Sequence, residues 1–322
     1  MQTPSNPPDH SSMNPPKHPS QHLSQNPSQN PIAPQWTILK ILQWTTSYFK
    51  SHPIDSPRLT AEVLLAHVLG IHRIDLYLRF DQPLTRQELA LFKEFIKRRV
   101  CREPVAYITG SREFWGIAFN VSPEVLIPRP ETEFLVEESL KLIPPDVSSG
   151  RFQVMDVGTG SGAVIVALAA NRPGHGYFAS DISRKALIVA SQNASLNGVN
   201  DAICFFAGEL FSSVNPDRQK FDLIVSNPPY IPGCQIAGLA PEVGKYEPLL
   251  ALDGGADGLD IVEKIVETAP LYLKKNGTLM IEIGFDQKDC VAQIVSDAAC
   301  YAELKFIRDY SGYDRVVQMR LK

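Results

Sequence analysis

The sequence has few cysteines, no long apolar run and no basic excess, and each of these absences excludes a class of protein. The five cysteines are odd in number, lie far apart and form no CxxC pair, so we expect reduced thiols. The longest apolar run near the glycine-rich segment, residues 163–170, is much shorter than the ~20 residues of a membrane helix. No signal peptide pattern is visible, and we expect a soluble cytoplasmic protein without membrane contact.

The net charge and the spacing of the histidines argue against two further kinds of site, a large phosphate-binding surface and a metal centre. The net charge of −4 and the pI near 6.0 argue against a surface built mainly to neutralise phosphates, although they leave room for a local basic patch. The seven histidines show no metal-ligand spacing, and three of them lie in the first 34 residues. We therefore expect no metal site.

The first 34 residues differ in composition from the rest of the chain. They hold nine of the 26 prolines and no aromatic residue, and their only charged side chains are Asp9 and Lys17. Such a segment has too little apolar surface to offset its ordering entropy, so we expect a disordered tail. An Arg-rich transit peptide does not fit, because the segment contains no Arg.

The remaining residues predict two structural units joined by a hairpin. Apolar residues at helical spacing over 36–99 predict a helical domain of about four helices, over residues 35–105. Residues 106–125 are predicted to be a hairpin linker, with strands at 106–108 and 114–121. Strand and helix patterns alternate after Gly150, which indicates an α/β domain over 126–322: a mostly parallel sheet, helices on both faces, and an antiparallel final pair of strands. Ser183 and Asp286 are candidate N-caps of two of these helices.

A glycine-rich segment follows the first strand of the α/β domain and opens a helix. Glycines allow a sharp turn and a close ligand approach at a helix N-terminus. Asp181 ends the second strand, 23 residues after Gly158, near the ~20 expected of a carboxylate that accepts ribose hydroxyls. Together they indicate an adenosine-containing cofactor, either NAD or S-adenosylmethionine. The candidate cofactor-binding residues of this glycine loop are Gly158, Thr159, Gly160, Ser161 and Gly162.

A second motif separates those cofactors. The strand over residues 221–226 ends in Asn227-Pro228-Pro229-Tyr230, which faces the same crevice as the glycine loop. The prolines fix the backbone and remove donors, while Asn227 and Pro228 each offer a carbonyl oxygen. Such acceptors can hold the two hydrogens of a planar NH2 group while its nitrogen attacks a methyl group, which favours S-adenosylmethionine. The candidate catalytic residues are Asn227 and Pro228, with Pro229 and Tyr230 as further substrate-binding residues.

These residues resemble the HemK/PrmC family, the release factor glutamine N5-methyltransferases. The tetrapeptide alone also matches N6-adenine methyltransferases of DNA and RNA, so the flanking segments distinguish the two families. The matching segments are residues 98–99 with 103–110, 113–115, 126–133, 241–243 with 246–248, 251–259, and Asp309 with 314–317. The resemblance covers about residues 36–322.

The resemblance implies a helical substrate-gripping domain, a β-hairpin and a Rossmann-like class I methyltransferase sheet of seven strands, the last one antiparallel. It implies methyl transfer from S-adenosylmethionine to the side-chain amide of the Gln in the Gly-Gly-Gln motif of class 1 release factors, with no sequence-specific nucleic acid binding. By position, the glycine loop would line the methionine and ribose side, Asp181 would bind the ribose hydroxyls, and Asn227 would contact both cofactor and substrate.

One pair of residues departs from the family pattern. Family members often carry Asp followed by Trp near the adenine, after the third strand of the sheet, whereas Glu209 and Leu210 stand there in this sequence. The resemblance makes both of them candidate cofactor contacts, and Leu210 would supply an apolar face without aromatic stacking.

Several alternatives stay open from the sequence. An N6-adenine methyltransferase is supported by the tetrapeptide only, and a non-catalytic adaptor would retain the fold without activity. The basic cluster of Lys97, Arg98, Arg99 and Arg102 fits either a helix C-terminus or a docking patch. Glu242 and Glu247 fit either a surface turn or a substrate-shaping lid, and residues 129–133 suit a helix start that lines the cofactor cleft.

Overall fold

The computed structural model describes residues 35–148 and 150–322, so the proline-rich segment 1–34 lies outside the described residues. The N-terminal part is helical, as expected. Its helices are α1 (Ile38–Lys50), α2 (Pro57–Leu69), α3 (Asp75–Leu78), α4 (Arg86–Val100) and α5 (Val105–Thr109).

Local sequence signals explain these helices. Thr37 caps α1 by accepting from the N–H of Lys40, and Thr85 forms a capping box with Glu88 at the start of α4. Gly70 ends α2 with a left-handed φ of 63°. The helices bury one apolar cluster, which includes Phe49 and Phe92, so this part of the chain has its own core.

The linker differs from the sequence expectation at its start. Residues 106–108 were expected in a strand, and this prediction is wrong because they lie in α5, between Pro104 and the left-handed Gly110. The helix start at Pro104 and the helix end at Gly110 outweigh the preference of β-branched and aromatic side chains for strands. The hairpin follows as β1 (Ser111–Phe114) and β2 (Ile117–Asn120), joined by Trp115 and Gly116. Both turn residues have positive φ, which suits a tight two-residue hairpin turn.

The C-terminal part is an α/β sandwich built on one sheet. The strands follow in the order β5-β4-β3-β6-β7-β9-β8, and β9 alone runs antiparallel to its neighbours. The expected seven-stranded sheet with an antiparallel last strand is therefore confirmed. The elements are α6 (Glu133–Leu142), β3 (Gln153–Val157), α7 (Ala163–Asn171), β4 (Gly176–Asp181), α8 (Arg184–Leu196), β5 (Ile203–Ala207), β6 (Phe221–Ser226), α9 (Gly233–Ile236), α10 (Pro241–Gly244), α11 (Asp260–Thr268), β7 (Leu273–Glu282), α12 (Lys288–Ala298), β8 (Tyr301–Arg308) and β9 (Asp314–Leu321).

Two apolar clusters lie on opposite faces of this sheet. One contains helix α7, which is buried over residues 163–169, and the hairpin residues Phe114 and Phe119. The other contains α11 and α12 residues such as Val262 and Val291. Both faces of the sheet are covered, so β3 and β6 are buried at all but one residue each, and β6 carries the apolar run Leu223–Val225. The strand order reverses between β3 and β6, and the crevice at their carboxyl ends is where ligands bind in sheets of this kind.

Helix starts in this part test the predicted caps. Ser183 caps α8 by accepting from the N–H of Ala186, as expected. Asp286 was expected to cap the last helix, and this prediction is wrong: Gln287 occupies the cap position, and its side chain turns back to the N–H of Gly284. No helix in the described part of the chain combines the length and apolarity needed to cross a bilayer.

Candidate functional site

A cleft of about 460 Å³ opens at the carboxyl ends of the central strands. Its volume lies in the range of small-molecule sites. The glycine loop, Asp181, the Asn227 corner and residues from the segment before α6 all contribute to its wall. Among the candidate residues, those that line it are Gly158, Thr159, Gly160, Ser161, Asp181, Glu209, Leu210, Asn227, Pro228 and Pro229.

Gly162 and Tyr230 are the two candidate residues outside this wall. Gly162 precedes α7 with φ of 79°, and a Cβ there would lie 3.1 Å from the Cβ of Ala190. Its glycine is therefore explained by backbone conformation and close helix packing. Tyr230 points its hydroxyl at Glu282, at 3.3 Å, so it supports the corner from behind.

The glycine loop is held in shape by hydrogen bonds to the neighbouring strand. The N–H groups of Gly158 and Thr159 both donate to the carbonyl oxygen of Ser180 at 2.9 Å, and the Thr159 hydroxyl donates to Asp156 at 2.6 Å. Gly158 and Gly160 have φ of 75° and 56°, where glycine has no steric penalty. The loop therefore presents its backbone directly to the cleft.

Asp181 connects the loop to the start of α8. Its Oδ2 accepts from the N–H of Gly160 and its Oδ1 from the N–H of Ser183, both at 2.8 Å. Burial raises its pKa, while the two backbone donors oppose that shift. Each carboxylate oxygen has further lone pairs. The carboxylate can thus accept hydroxyl groups of a ligand while it holds the loop.

Asp156 is the second buried acid beneath the loop. Burial raises its pKa to about 7, the hydrogen bond from Thr159 lowers it, and the charge of Asp181 raises it further. It is the penultimate residue of β3, next to the glycines, and it was not among the candidate residues. Its position at a strand end beside the glycine loop was the signal that could have identified it.

The Asn227 corner offers two carbonyl oxygens without internal donors. The Asn227 Nδ2 donates to the hydroxyl oxygen of Thr132 at 3.0 Å. No residue in the ranges 35–148 and 150–322 donates to Asn227 Oδ1 or to the Pro228 carbonyl oxygen. An arrangement of this kind can accept both hydrogens of an NH2 group.

A glycine-rich segment presses against the back of this corner. The Ile231 N–H donates to Leu252, and the Gly254 N–H donates back to Ile231 at 2.9 Å. A Cβ on Gly254 would lie 2.8 Å from the Pro229 carbonyl oxygen, so only glycine permits this approach. Gln287 completes the support by donating to the carbonyl oxygens of Tyr230 and Gly258.

The basic cluster and the two acids of the following loop form internal ion pairs. Glu242 pairs with Arg99 at 2.6 Å and with Arg102 at 2.7 Å, and the Tyr246 hydroxyl donates to the Cys101 carbonyl oxygen. Burial opposes the ionisation of Glu242, but the hydrogen bonds from its two arginines outweigh it and the pKa is lowered. We call the ion pairs of Glu242 with Arg99 and Arg102 the α4 latch. Arg99 is 5% exposed, so it is committed to the latch and does not form an exposed patch.

Glu247 makes the matching contact on the other side of the loop. Both of its carboxylate oxygens accept from Arg129, at 2.7 and 2.8 Å. Burial raises the pKa of Glu247, and the charge of Arg129 opposes it. Arg129 and Thr132 line the cleft, so the segment before α6 forms part of its wall.

The far end of the cleft is apolar. Leu210 has φ of 49°, packs against the apolar cluster below, and its carbonyl oxygen accepts from Ser180. Glu209 beside it is exposed. Ile182, 58% exposed, lines the same cleft and was not among the candidates. The signal that could have identified it is its place directly after Asp181.

Comparisons with known proteins find similar domains and similar chains. The PrmC N-terminal domain model matches residues 40–110, and the methyltransferase small domain model matches residues 132–240. A release factor glutamine methyltransferase of Geobacter sulfurreducens is 43% identical over 286 residues, which is 89% of this chain and 97% of that protein. One of Chlorobaculum tepidum is 39% identical over 284 residues, 87% of this chain and 96% of that protein.

Among solved structures, the hMettl16 catalytic domain in complex with MAT2A 3′UTR hairpin 6 has a TM-score of 0.50 with 14% identity. The match covers 74% of this chain and 84% of that one. At this identity the likeness concerns the fold alone.

Proposed function

Since the chain belongs to the release factor glutamine methyltransferase family, we propose that it methylates the side-chain amide nitrogen, N5, of the Gln in the Gly-Gly-Gln motif of class 1 release factors. The observation that carries this proposal is the pair of unpartnered acceptors, Asn227 Oδ1 and the Pro228 carbonyl oxygen, at the edge of the cleft. The partner is the release factor itself, and the cytoplasm is the expected location.

The methyl donor that we propose is S-adenosylmethionine, and the residues of the cleft fit it. The left-handed glycine backbone leaves room for a close ligand, and Asp181 has lone pairs for ribose hydroxyls. Leu210 and Ile182 give the apolar surface that an adenine needs. When bound, the cofactor supplies an electrophilic methyl group on its positively charged sulfur.

The corner would act by orientation and by charge stabilisation. A Gln amide nitrogen is a poor nucleophile because its lone pair is delocalised. Asn227 Oδ1 and the Pro228 carbonyl oxygen would each accept one N–H of that amide, which orients the nitrogen and stabilises the positive charge it gains. The transfer would break the S–CH3 bond of the donor as the N–CH3 bond forms, and one N–H proton would pass to water. The products would be a neutral methylamide and the neutral thioether of the spent donor.

Transfer of a labelled methyl group tests the proposal. Incubation with methyl-labelled S-adenosylmethionine and a class 1 release factor should label the tryptic peptide that contains Gly-Gly-Gln. A release factor with Gln→Ala at that position is the control and should stay unlabelled. Label on the Ala variant would contradict the proposed acceptor. Label on DNA or RNA, strongly suppressed by salt, would instead support an N6-adenine activity.

A further inference from the structure

Behind the Asn227 corner lie two buried polar side chains, Thr132 and Glu282, that were not among the candidate site residues. Thr132 is 4% exposed and Glu282 is 0% exposed. Thr132 accepts from Asn227 Nδ2 at 3.0 Å, and Tyr230 donates to Glu282 Oε1 at 3.3 Å. The other carboxylate oxygen of Glu282, Oε2, is buried near Thr132 and has no hydrogen-bond partner within the described ranges. Glu282 therefore lies behind both ends of the substrate corner.

The direction of the hydrogen bonds matters because an amide side chain has two nearly isosteric orientations. Asn227 can present its oxygen or its NH2 to the cleft, and only the oxygen can accept from a substrate amide. Thr132 has a single hydroxyl hydrogen. If that hydrogen points at Glu282, the Thr132 oxygen can only accept from Asn227, which turns Asn227 Oδ1 toward the cleft.

We propose that Glu282, acting through the Thr132 hydroxyl, is a positioning residue that fixes the Asn227 side chain with its oxygen toward the substrate. This inference rests on the proposed function. An ionised carboxylate only accepts hydrogen bonds, so it takes the Thr132 hydrogen and sets the direction of the hydrogen bonds of Thr132 and Asn227. Its Oε2 is buried without a hydrogen-bond partner within the described ranges, and rotation of the Thr132 hydroxyl hydrogen toward it would supply one.

Once protonated, Glu282 would no longer fix the direction of the hydrogen bonds of Thr132 and Asn227. A protonated carboxyl can donate to Thr132, which frees the Thr132 hydroxyl to donate to Asn227 and allows the amide to turn its NH2 to the cleft. The groups that face Glu282 are Thr132 and Glu131 from the turn before α6, Tyr230 after β6, and Arg315 on β9. Burial raises its pKa to about 7; Thr132, Arg315 and Tyr230 lower it and Glu131 raises it. Methyl transfer should therefore rise with pH through about 7.

The test uses the full chain with Thr132→Val, Thr132→Ser and Glu282→Gln. Thr132→Val removes the hydroxyl at similar volume, and kcat should fall by roughly 10- to 100-fold, as for a misplaced reacting group. Thr132→Ser keeps the hydroxyl and should stay within about threefold of wild type. Glu282→Gln should lower kcat and flatten the pH profile between 6 and 8.5. The dissociation constant of S-adenosylmethionine, measured by calorimetry, should stay within a few-fold in all three.

Glu137→Gln is the matched control, because Glu137 lies on α6 and its one ion pair within residues 35–148 and 150–322 is with the exposed Lys141. Wild-type kcat in Thr132→Val, or a wild-type pH profile in Glu282→Gln, would overturn the inference while leaving the proposed function intact. Absence of Gln methylation by the wild-type chain would overturn the proposed function, and the inference with it. Thermal unfolding of each variant separates loss of positioning from loss of the fold.

Discussion

Asp181 shows how a single side chain serves both the backbone and a ligand. It holds the glycine loop through Gly160 and the start of α8 through Ser183, and it lines the cleft. A carboxylate accepts from both N–H groups at once, whereas an amide of the same shape offers one acceptor only.

Asp181→Asn should therefore weaken S-adenosylmethionine binding. The change leaves one buried N–H facing an NH2 group and removes the charge that would accept ribose hydroxyls. Loss of a hydrogen bond to a charged group corresponds to about 1.5–3 kcal/mol, or roughly 10- to 100-fold in the dissociation constant. Isothermal titration calorimetry measures it. Asp201→Asn, at an exposed position away from the cleft, is the control. Equal dissociation constants for the Asp181→Asn variant and wild type would contradict the assigned role.

Elements with strong local signals could be predicted from the sequence, and elements fixed by distant partners could not. The strand 221–226 and the Ser183 cap follow from apolar composition and cap chemistry alone. Residues 106–108 carry strand-like side chains but lie in α5, because Pro104 and Gly110 define a helical turn there.

The candidate site shows the same division. The glycine loop and the Asn227 corner are contiguous motifs, so both could be identified from the chain. Thr132 and Glu282 lie 95 and 55 residues from Asn227 along the chain, and no local sequence pattern links either of them to it. Their position behind the corner depends on the fold of the sheet. The pairing of Arg99 with Glu242 spans 143 residues, and charge type alone does not specify it.

At the element scale, the α4 latch connects the helical part to the loop that follows the Asn227 corner. Glu242→Gln keeps the shape and removes the charge, which leaves Arg99 buried without its counter-ion. We expect the free energy of unfolding to fall by about 1–3 kcal/mol. We also expect the KM for the release factor to rise, because the loop beside the Asn227 corner loses the ion pairs that hold it to α4.

Urea unfolding and steady-state kinetics measure these two effects. Glu94→Gln is the control, since Glu94 pairs with Lys97 on an exposed face of the same helix. An exposed pair contributes only about 0–1 kcal/mol, so this variant should resemble wild type. Identical unfolding curves for Glu242→Gln and Glu94→Gln would show that the latch does not stabilise the molecule.

For the whole molecule, the buried acids couple stability to pH. Burial raises the pKa values of Asp156 and Glu282 to about 7, and it raises those of Asp181 and Glu247 as well. The native state then binds more protons than the unfolded chain between about pH 4 and 7. The free energy of unfolding should therefore increase as the pH falls from 8 to about 5.5.

Urea denaturation at pH 8, 7, 6 and 5.5 measures this dependence. We expect at least ~1 kcal/mol of added stability at the acidic end, since one pKa unit corresponds to ~1.4 kcal/mol. Asp156→Asn and Glu282→Gln should each flatten the curve. Activity should change in the opposite direction, because the proposed positioning by Glu282 requires its ionised form. Stability that is constant or decreasing over this range would contradict the raised pKa values.

The central claim is that Asn227 holds the Gln amide for methyl transfer, and a single-turnover rate tests it most directly. Asn227→Ala removes the side-chain acceptor while Pro228 and the glycine loop stay in place. With saturating S-adenosylmethionine and release factor, we predict a rate reduced on the order of 100-fold or more, as for loss of a preorganised transition-state partner. The cofactor dissociation constant should change by no more than a few-fold. A folded Asn227→Ala variant that methylates the Gly-Gly-Gln glutamine at the wild-type rate would contradict the claim.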